Sequence, residues 1–189
     1  MSLKGFFGHL RTINRHRHKV IAHCAKAGIL WQGLRHDLSK YSPTEFIPGV
    51  KYFQGTRSPN EAERELNGYS LAWMHHKGRN KHHFEYWSDY NPQTRTVEPV
   101  KMPVRYVAEM FCDRVAASRI YQGAAYEPSH PLEYYLRGKA RRSIHPDTAA
   151  LLEGWLRLLA EQGEGAAFAA VRREVQDARR GVSPYGSYK

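Results

Sequence analysis

The chain has 189 residues, a formal net charge of +11 and a pI near 9.8. This length suits one domain with a sizeable core, and no apolar run approaches the roughly 18–20 residues that span a bilayer, so no membrane partner is expected. Cys24 and Cys112 are too few for a disulfide framework, which favours a cytoplasmic location. The positive charge favours an anionic partner, either a phosphate-containing small molecule or nucleic acid.

The first predicted helix covers about residues 6–27 and has an apolar stripe at spacings of three and four residues. His16 falls on this stripe. At that position it is interpreted either as a core-edge histidine bonded to a carbonyl or as a metal ligand.

A second helix is predicted over about residues 29–40 and carries the adjacent pair His36-Asp37 near its end. The pair offers an imidazole nitrogen and a carboxylate oxygen at one point of the backbone. Its flanking leucines recur at helical spacing and predict a buried stripe beside the pair. They are Leu30, Leu34 and Leu38. Buried His and Asp side chains need partners, and a cation is a favourable one.

Two Ser-Pro pairs, Ser42-Pro43 and Ser58-Pro59, predict helix starts, each with a glutamate at the third helical position. Glu45 and Glu61 are therefore interpreted as capping residues rather than catalytic acids. The first of these helices is expected to be interrupted at Pro48-Gly49.

Ser70 is expected to cap a short helix that ends at Gly78. The following histidine-rich stretch, residues 75–83, is either a solvated basic turn or part of a wall of the fold, and flanking tryptophans at 73 and 87 favour the wall. Histidines this close repel one another when protonated, which favours a neutral, metal-binding state. The candidate ligands are His75, His76, His82 and His83.

Residues 89–102 are polar and contain proline, and they are predicted to form an irregular loop over the site. A helix from Pro103 to about Tyr121 follows, and Asp113 lies on its apolar face. A buried aspartate is costly unless it is paired or bound to a cation. The alternative partner is an arginine such as Arg35 or Arg114.

The last third contains helix starts at His130-Pro131 and His145-Pro146, whose histidines are interpreted as caps. An amphipathic helix then ends at Gly163, an Ala- and Arg-rich helix covers residues 166–180, and residues 181–189 are expected to be mobile.

No repeat, linker or convincing strand is evident, so the prediction is a single all-α domain over residues 1–189. Its metal-site core is expected at about 6–122, followed by C-terminal helices over 129–180.

In chain order, the candidate ligands resemble those of the HD superfamily of metal-dependent phosphohydrolases. The segment His36-Asp37-Leu38-Ser39-Lys40 looks like that family's His-Asp-aliphatic-small-Lys signature. His75-His76 is similar to the double-histidine segment of the two-metal branch, although Lys77 stands where an acid is common. Most of residues 10–135 also resembles a family of small bacterial and phage proteins of unknown function. That second resemblance does not suggest any particular activity.

The superfamily resemblance implies an HD-domain-like helical bundle with one or two divalent transition-metal ions. It assigns His16, His36, Asp37 and Asp113 to the first ion. Asp37 would bridge to a second ion held by some of the four histidines of residues 75–83. Mixed nitrogen and oxygen ligation suits Mn, Fe, Co, Ni or Zn better than Ca.

The resemblance also implies hydrolysis of a nucleotide or other phosphoester by a metal-activated water. Asp37 and Lys40 would be catalytic. The phosphate would be attracted by the cations Lys40, Lys77, Arg79 and Lys81.

Other functions stay open at this point. His75-His76, Asn80 and His83 resemble the His-Asn-His order of ββα-metal nucleases, which need a hairpin before the helix, and no strands are predicted around His75. A basic module that binds nucleic acid would use arginines and aromatics near the C-terminus. They are Arg172, Arg173, Arg179, Arg180, Tyr185 and Tyr188. A redox di-iron role is a further alternative.

Overall fold

The chain folds into helices almost throughout, which confirms the predicted all-α, single-domain architecture. The computed structural model describes residues 2–188. Its α-helices are α1 (Leu3–Lys26), α2 (Leu30–Arg35), α3 (Pro43–Lys51), α4 (Pro59–Asn67), α5 (Leu71–Lys77), α6 (Val104–Gln122), α7 (His130–Arg137) and α8 (Pro146–Arg180).

The core lies where α1, α6 and α8 pack together. Val20 and Cys24 of α1 meet Phe111 of α6 and Leu156 and Phe168 of α8 in one cluster of buried side chains. Fully burying an apolar side chain of this size stabilises a fold by roughly 1.5–3 kcal/mol. Both cysteines are free and buried, as expected for small core residues.

The helix predicted over 29–40 is shorter than expected. α2 ends at Arg35, and a 3-10 turn (Leu38–Tyr41) follows the His-Asp pair. Asp37 has φ 54°, the left-handed conformation, which no residue inside a right-handed helix adopts. The predicted buried leucine stripe is also wrong, because Leu30, Leu34 and Leu38 are all exposed.

The predicted interruption of α3 is also wrong. The helix continues through Pro48, whose carbonyl accepts a hydrogen bond from Tyr52 N at 2.9 Å. Proline removes only one backbone donor here, and its neighbour Gly49 leaves room for the ring of His9 from α1. Packing between α1 and α3 thus holds the helix together across the proline.

Residues 89–102 contain a hairpin that the sequence analysis did not predict. Strands β1 (Ser88–Asn91) and β2 (Thr96–Pro99) pair antiparallel, with Ser88 opposite Pro99 and Asn91 opposite Thr96. The Asn91 side chain accepts from Gln93 N at 2.9 Å and shapes the turn. Both strands are short, polar and largely exposed, so they lack the apolar alternation that identifies strands in a sequence.

The C-terminal region confirms the break at Gly163, while the mobility of residues 181–189 stays a prediction. Gly163 has φ 79° and kinks α8 between its two halves. Beyond α8, the Tyr185 hydroxyl donates to the Met102 carbonyl at 2.6 Å, and Val104 N donates to the Ser187 carbonyl at 3.1 Å. The described part of the tail therefore packs against the start of α6, while Lys189 and Met1 lie outside the described residues.

None of the described helices combines the length and apolarity needed to cross a membrane.

Candidate metal centre

The centre is built around the turn at His36-Asp37. Both residues are only 1% exposed, and Arg17 of α1 holds the turn by donating from Nε to the His36 carbonyl at 2.9 Å and from Nη2 to the Leu34 carbonyl at 3.0 Å. The left-handed conformation of Asp37 is uncommon outside glycine, and such conformations cluster at functional sites. It directs two consecutive side chains into the interior.

One group of donor atoms comes from α1, the turn and α6. His16 Nε2 lies 2.9 Å from Asp113 Oδ1, and His36 Nε2 lies 3.2 Å from Asp37 Oδ2 and 3.5 Å from Asp113 Oδ1. The four residues each offer one atom within 4.8 Å of all the others. The structure therefore brings together all four ligands predicted for the first ion.

A second group shares Asp37 with the first. Asp37 Oδ1 lies 3.3 Å from His76 Nε2 of α5 and 3.5 Å from His82 Nε2, and His83 completes the group. The two carboxylate oxygens of Asp37 thus face different groups of imidazoles. This is the arrangement that a carboxylate bridging two ions requires.

Several buried atoms of the two groups have no hydrogen-bond partner among the described residues. They are Nε2 of His16, His36, His82 and His83 and Oδ1 of Asp37, whereas Asp37 Oδ2 is ion-paired with Lys40 Nζ at 2.6 Å. His16 Nε2 and His36 Nε2 lie 2.9 and 3.2 Å from carboxylate oxygens of Asp113 and Asp37, but at angles outside hydrogen-bonding geometry. An unsatisfied buried polar group costs about 1–3 kcal/mol, so five together need an explanation.

A metal ion fits these atoms. Two atoms that each lie about 2.1 Å from one ion, at right angles, are about 3 Å apart, close to the separations seen here. The donor set of imidazole nitrogens and carboxylate oxygens also suits a first-row transition metal. The residues present therefore fit the implied ions.

The charged state of Asp37 is strongly favoured. Burial opposes it, but His36 and Lys40 outweigh burial and hold the pKa of the Asp37 carboxyl well below its ordinary value. The pKa of Asp113 is also held well below its ordinary value against burial, chiefly by His16 and His36. Both carboxylates are available as anionic ligands across the physiological range.

The imidazoles divide into two kinds. Burial lowers the pKa of His16 and lowers that of His83 further, so both are neutral, as metal ligands must be. Burial also acts against charge on His36, but Asp37, Asp113 and Glu109 raise its pKa well above the ordinary value. The carboxylates therefore stabilise a proton on His36, which a metal ion would have to displace.

Glu109 is a site residue that the sequence analysis missed. It is buried on α6, and Oε1 lies 2.8 Å from His36 Nδ1 and 3.2 Å from His82 Nδ1. These hydrogen bonds hold the pKa of Glu109 at about 2 despite burial. By accepting from both Nδ1 atoms, Glu109 leaves each Nε2 aimed at Asp37. The sequence does carry a signal for Glu109, because it lies four residues, about one helical turn, before Asp113 and therefore on the same face of the helix.

Glu45 orients histidines of α5 by bonding to their Nδ1 atoms, so it is not the capping residue that the sequence predicted. It is buried, and its carboxylate oxygens lie 2.7 Å from Nδ1 of His75 and 2.7 Å from Nδ1 of His76. His75 bonds to Glu45 through Nδ1, and it is not among the donors that come together around Asp37. Ser70, by contrast, caps α5 as predicted, accepting from Trp73 N at 3.0 Å.

Lys40 joins the centre to a cavity of about 640 Å³. Its Nζ lies 2.6 Å from Asp37 Oδ2, and the charges of Asp37 and Asp113 raise the pKa of the ammonium although burial opposes it. Lys40, His16, Asp37, His76 and His83 all line the cavity. A ligand in the cavity therefore reaches both groups of donor atoms.

The other predicted phosphate-binding cations do not line this cavity. Lys77, Arg79 and Lys81 are absent from its wall, and Lys81 Nζ instead lies 5.4 Å from the centre of the Tyr86 ring. Five arginines from other segments take their place. They are Arg57, Arg64, Arg114, Arg137 and Arg142.

The hairpin does not produce a ββα-nuclease arrangement. β1 and β2 follow the histidines in the chain instead of preceding them, and His75 and His76 lie on a helix. No residue of the predicted loop over the site, 89–102, lines the cavity. The structure thus supplies no observation in favour of that alternative.

Fold and site together define a protein of the all-α class with a buried histidine-carboxylate centre that fits metal ions. A model for a family of unknown function (DUF5662) matches residues 5–158, so the chain belongs to that family. Neither a curated protein nor a solved structure matches the chain.

Proposed function

We propose that this protein is a metal-dependent phosphohydrolase that acts on a nucleotide or another phosphoester. The observation that carries the proposal is the set of buried, unpartnered imidazole nitrogens arranged around both oxygens of Asp37, at the end of an open cavity. The resemblance of residues 36–40 to the HD signature supports the same chemistry.

Each residue of the centre has a role in this proposal. His16, His36, Asp37 and Asp113 would hold one divalent transition-metal ion, and Asp37 with His76, His82 and His83 a second. When bound, such ions lower the pKa of a coordinated water and neutralise phosphoryl oxygens.

Lys40 would contact the substrate directly, in addition to the metal ions. Its ammonium is anchored on Asp37 Oδ2 and faces the cavity, so it is placed to donate a charge-assisted hydrogen bond to a phosphoryl oxygen. Such a bond grows stronger as negative charge develops on that oxygen. Glu45 and Glu109 act through the histidines they orient, rather than on the substrate.

The test is the variant Asp37→Ala. It removes the residue shared by both groups, so hydrolysis of p-nitrophenyl phosphate and of a nucleotide panel should fall by roughly 100-fold or more. The far-UV circular dichroism spectrum should stay helical. Asp89→Ala, in the exposed hairpin, is the matched control and should keep full activity. Full activity in Asp37→Ala would rule out the proposal.

A further inference from the structure

The cavity extends away from the metal centre along one face of α6. The residues of α6 that line it recur at spacings of three and four, from Met110 through Asp113 and Arg114 to Tyr121. At 1.5 Å per residue this face is roughly 16 Å long. A cavity of this size and shape accommodates a ligand much larger than one phosphate group.

Three arginines gather on the side of the cavity formed by α6, α7 and the chain after α7. The guanidinium of Arg114 lies 5.6 Å from the centre of the buried Tyr135 ring, and that of Arg142 lies 5.3 Å from the same ring. Arg137 is the last residue of α7, and its guanidinium lies 5.7 Å from the centre of the Tyr134 ring. All three arginines line the cavity.

These cations have no carboxylate partner. Within residues 2–188 no ion pair joins Arg114, Arg137 or Arg142 to an acid. The buried Nε of Arg114 has no hydrogen bond, while Arg142 donates from Nη1 and Nη2 to the carbonyls of Tyr135 and Tyr134. Glu61, Glu85 and Glu133 also line the cavity, but none of them forms an ion pair with these arginines among the described residues, and the buried Oε2 of Glu85 has no hydrogen bond. Like charges held together raise the free energy of the protein, and a bound anion offsets this cost.

We propose that Arg114, Arg137 and Arg142 form a second anion subsite, which selects phosphoesters that carry a further phosphate or carboxylate group. The inference rests on the proposed function, because the first phosphate is taken to bind at Lys40 and the metal centre. Lys40, Asp113 and Arg114 all line the same cavity, so one ligand that fills it can contact both subsites. Planar guanidinium groups suit such bidentate anion contacts.

The experiment compares two probes that cannot be hydrolysed, methylphosphonate and propane-1,3-bisphosphonate, by calorimetry on the metal-loaded and metal-free protein. The bisphosphonate should bind roughly 10–100-fold more tightly, the effect of one added charge-assisted contact. Arg114→Gln should reduce this ratio to near one and leave methylphosphonate binding unchanged. Arg137→Gln, at an exposed position that the fold does not depend on, should reduce the ratio by a smaller factor.

Arg105→Gln is the matched control. Arg105 is also on α6 and lies 4.5 Å from a tyrosine ring, that of Tyr106, but it does not line the cavity, so its substitution should leave the ratio unchanged. Equal affinity for both probes, no binding of the bisphosphonate, or an unchanged ratio in both cavity variants would overturn the subsite. Loss of metal uptake alone, with an Arg114-dependent ratio retained, would instead reject the phosphohydrolase and leave the subsite standing.

Discussion

At the scale of single residues, Asp37 connects every part of the proposed site. One oxygen faces His36 and Lys40 and the other faces His76 and His82, at separations between 2.6 and 3.5 Å. The backbone conformation at Asp37 makes this possible, because a helical residue would carry the carboxylate along the helix surface. The left-handed turn and the proposed bridging role of Asp37 thus depend on the same backbone conformation.

Glu109 provides a test that does not depend on knowing the substrate. Glu109→Gln removes the anionic acceptor that orients His36 and His82, so affinity for Mn or Zn should fall roughly 10–100-fold. Competition titration with a metal-sensitive dye measures this directly.

Glu164→Gln is the control for Glu109→Gln. Glu164 also accepts bonds from other elements, namely from Lys26 of α1 and Arg119 of α6, but it lies outside the two groups of candidate ligands. Its substitution should leave metal affinity unchanged. Unchanged affinity in Glu109→Gln as well would contradict the orienting role.

At the scale of elements, the contact between α1 and α3 keeps the cavity wall in place. A Cβ atom added at Gly49 would lie 2.0 Å from His9 Nε2, and the His9 ring is confined by Phe46 and Phe53. Gly49→Ala should therefore destabilise the fold by about 1–3 kcal/mol, as overpacked sites do. Urea unfolding of the variant measures the change.

Gly154→Ala is the matched control for this contact. Gly154 lies inside α8, and an added Cβ there meets no described atom within 4 Å. Alanine should stabilise the helix by roughly 0.5–1 kcal/mol at such a position. If Gly49→Ala were as stable as the wild-type protein, close packing of α1 on α3 would be disproved.

Helices were predictable from the sequence where their apolar residues recurred at helical spacing or where a clear capping residue marked an end. The stripe of α1, the Ser70 cap and the Gly163 break were found from sequence. The turn at Asp37 and the hairpin were not, because each depends on backbone conformations that polar residues adopt only in the folded context. Leucine spacing continued across the turn and falsely suggested one longer helix.

At the scale of the whole molecule, the candidate ligands could be recognised from the sequence, but the residues that orient them and line the cavity could not. Histidines and aspartates in an unusual order stand out in a sequence, and the structure places His16, His36, Asp37 and Asp113 together. Glu45, Glu109 and the cavity arginines look like ordinary surface charges until the helices are packed. The net charge of +11 indicated an anionic ligand without indicating which cations would meet it.

The measurement that tests the central claim most directly is the metal content of the untagged protein, purified without added metal and analysed by mass spectrometry. We predict one to two equivalents of a transition metal per chain, and a loss of most of it in Asp37→Ala. A protein that contains no metal and takes up none from solutions of Mn, Fe, Co, Ni or Zn would contradict the account.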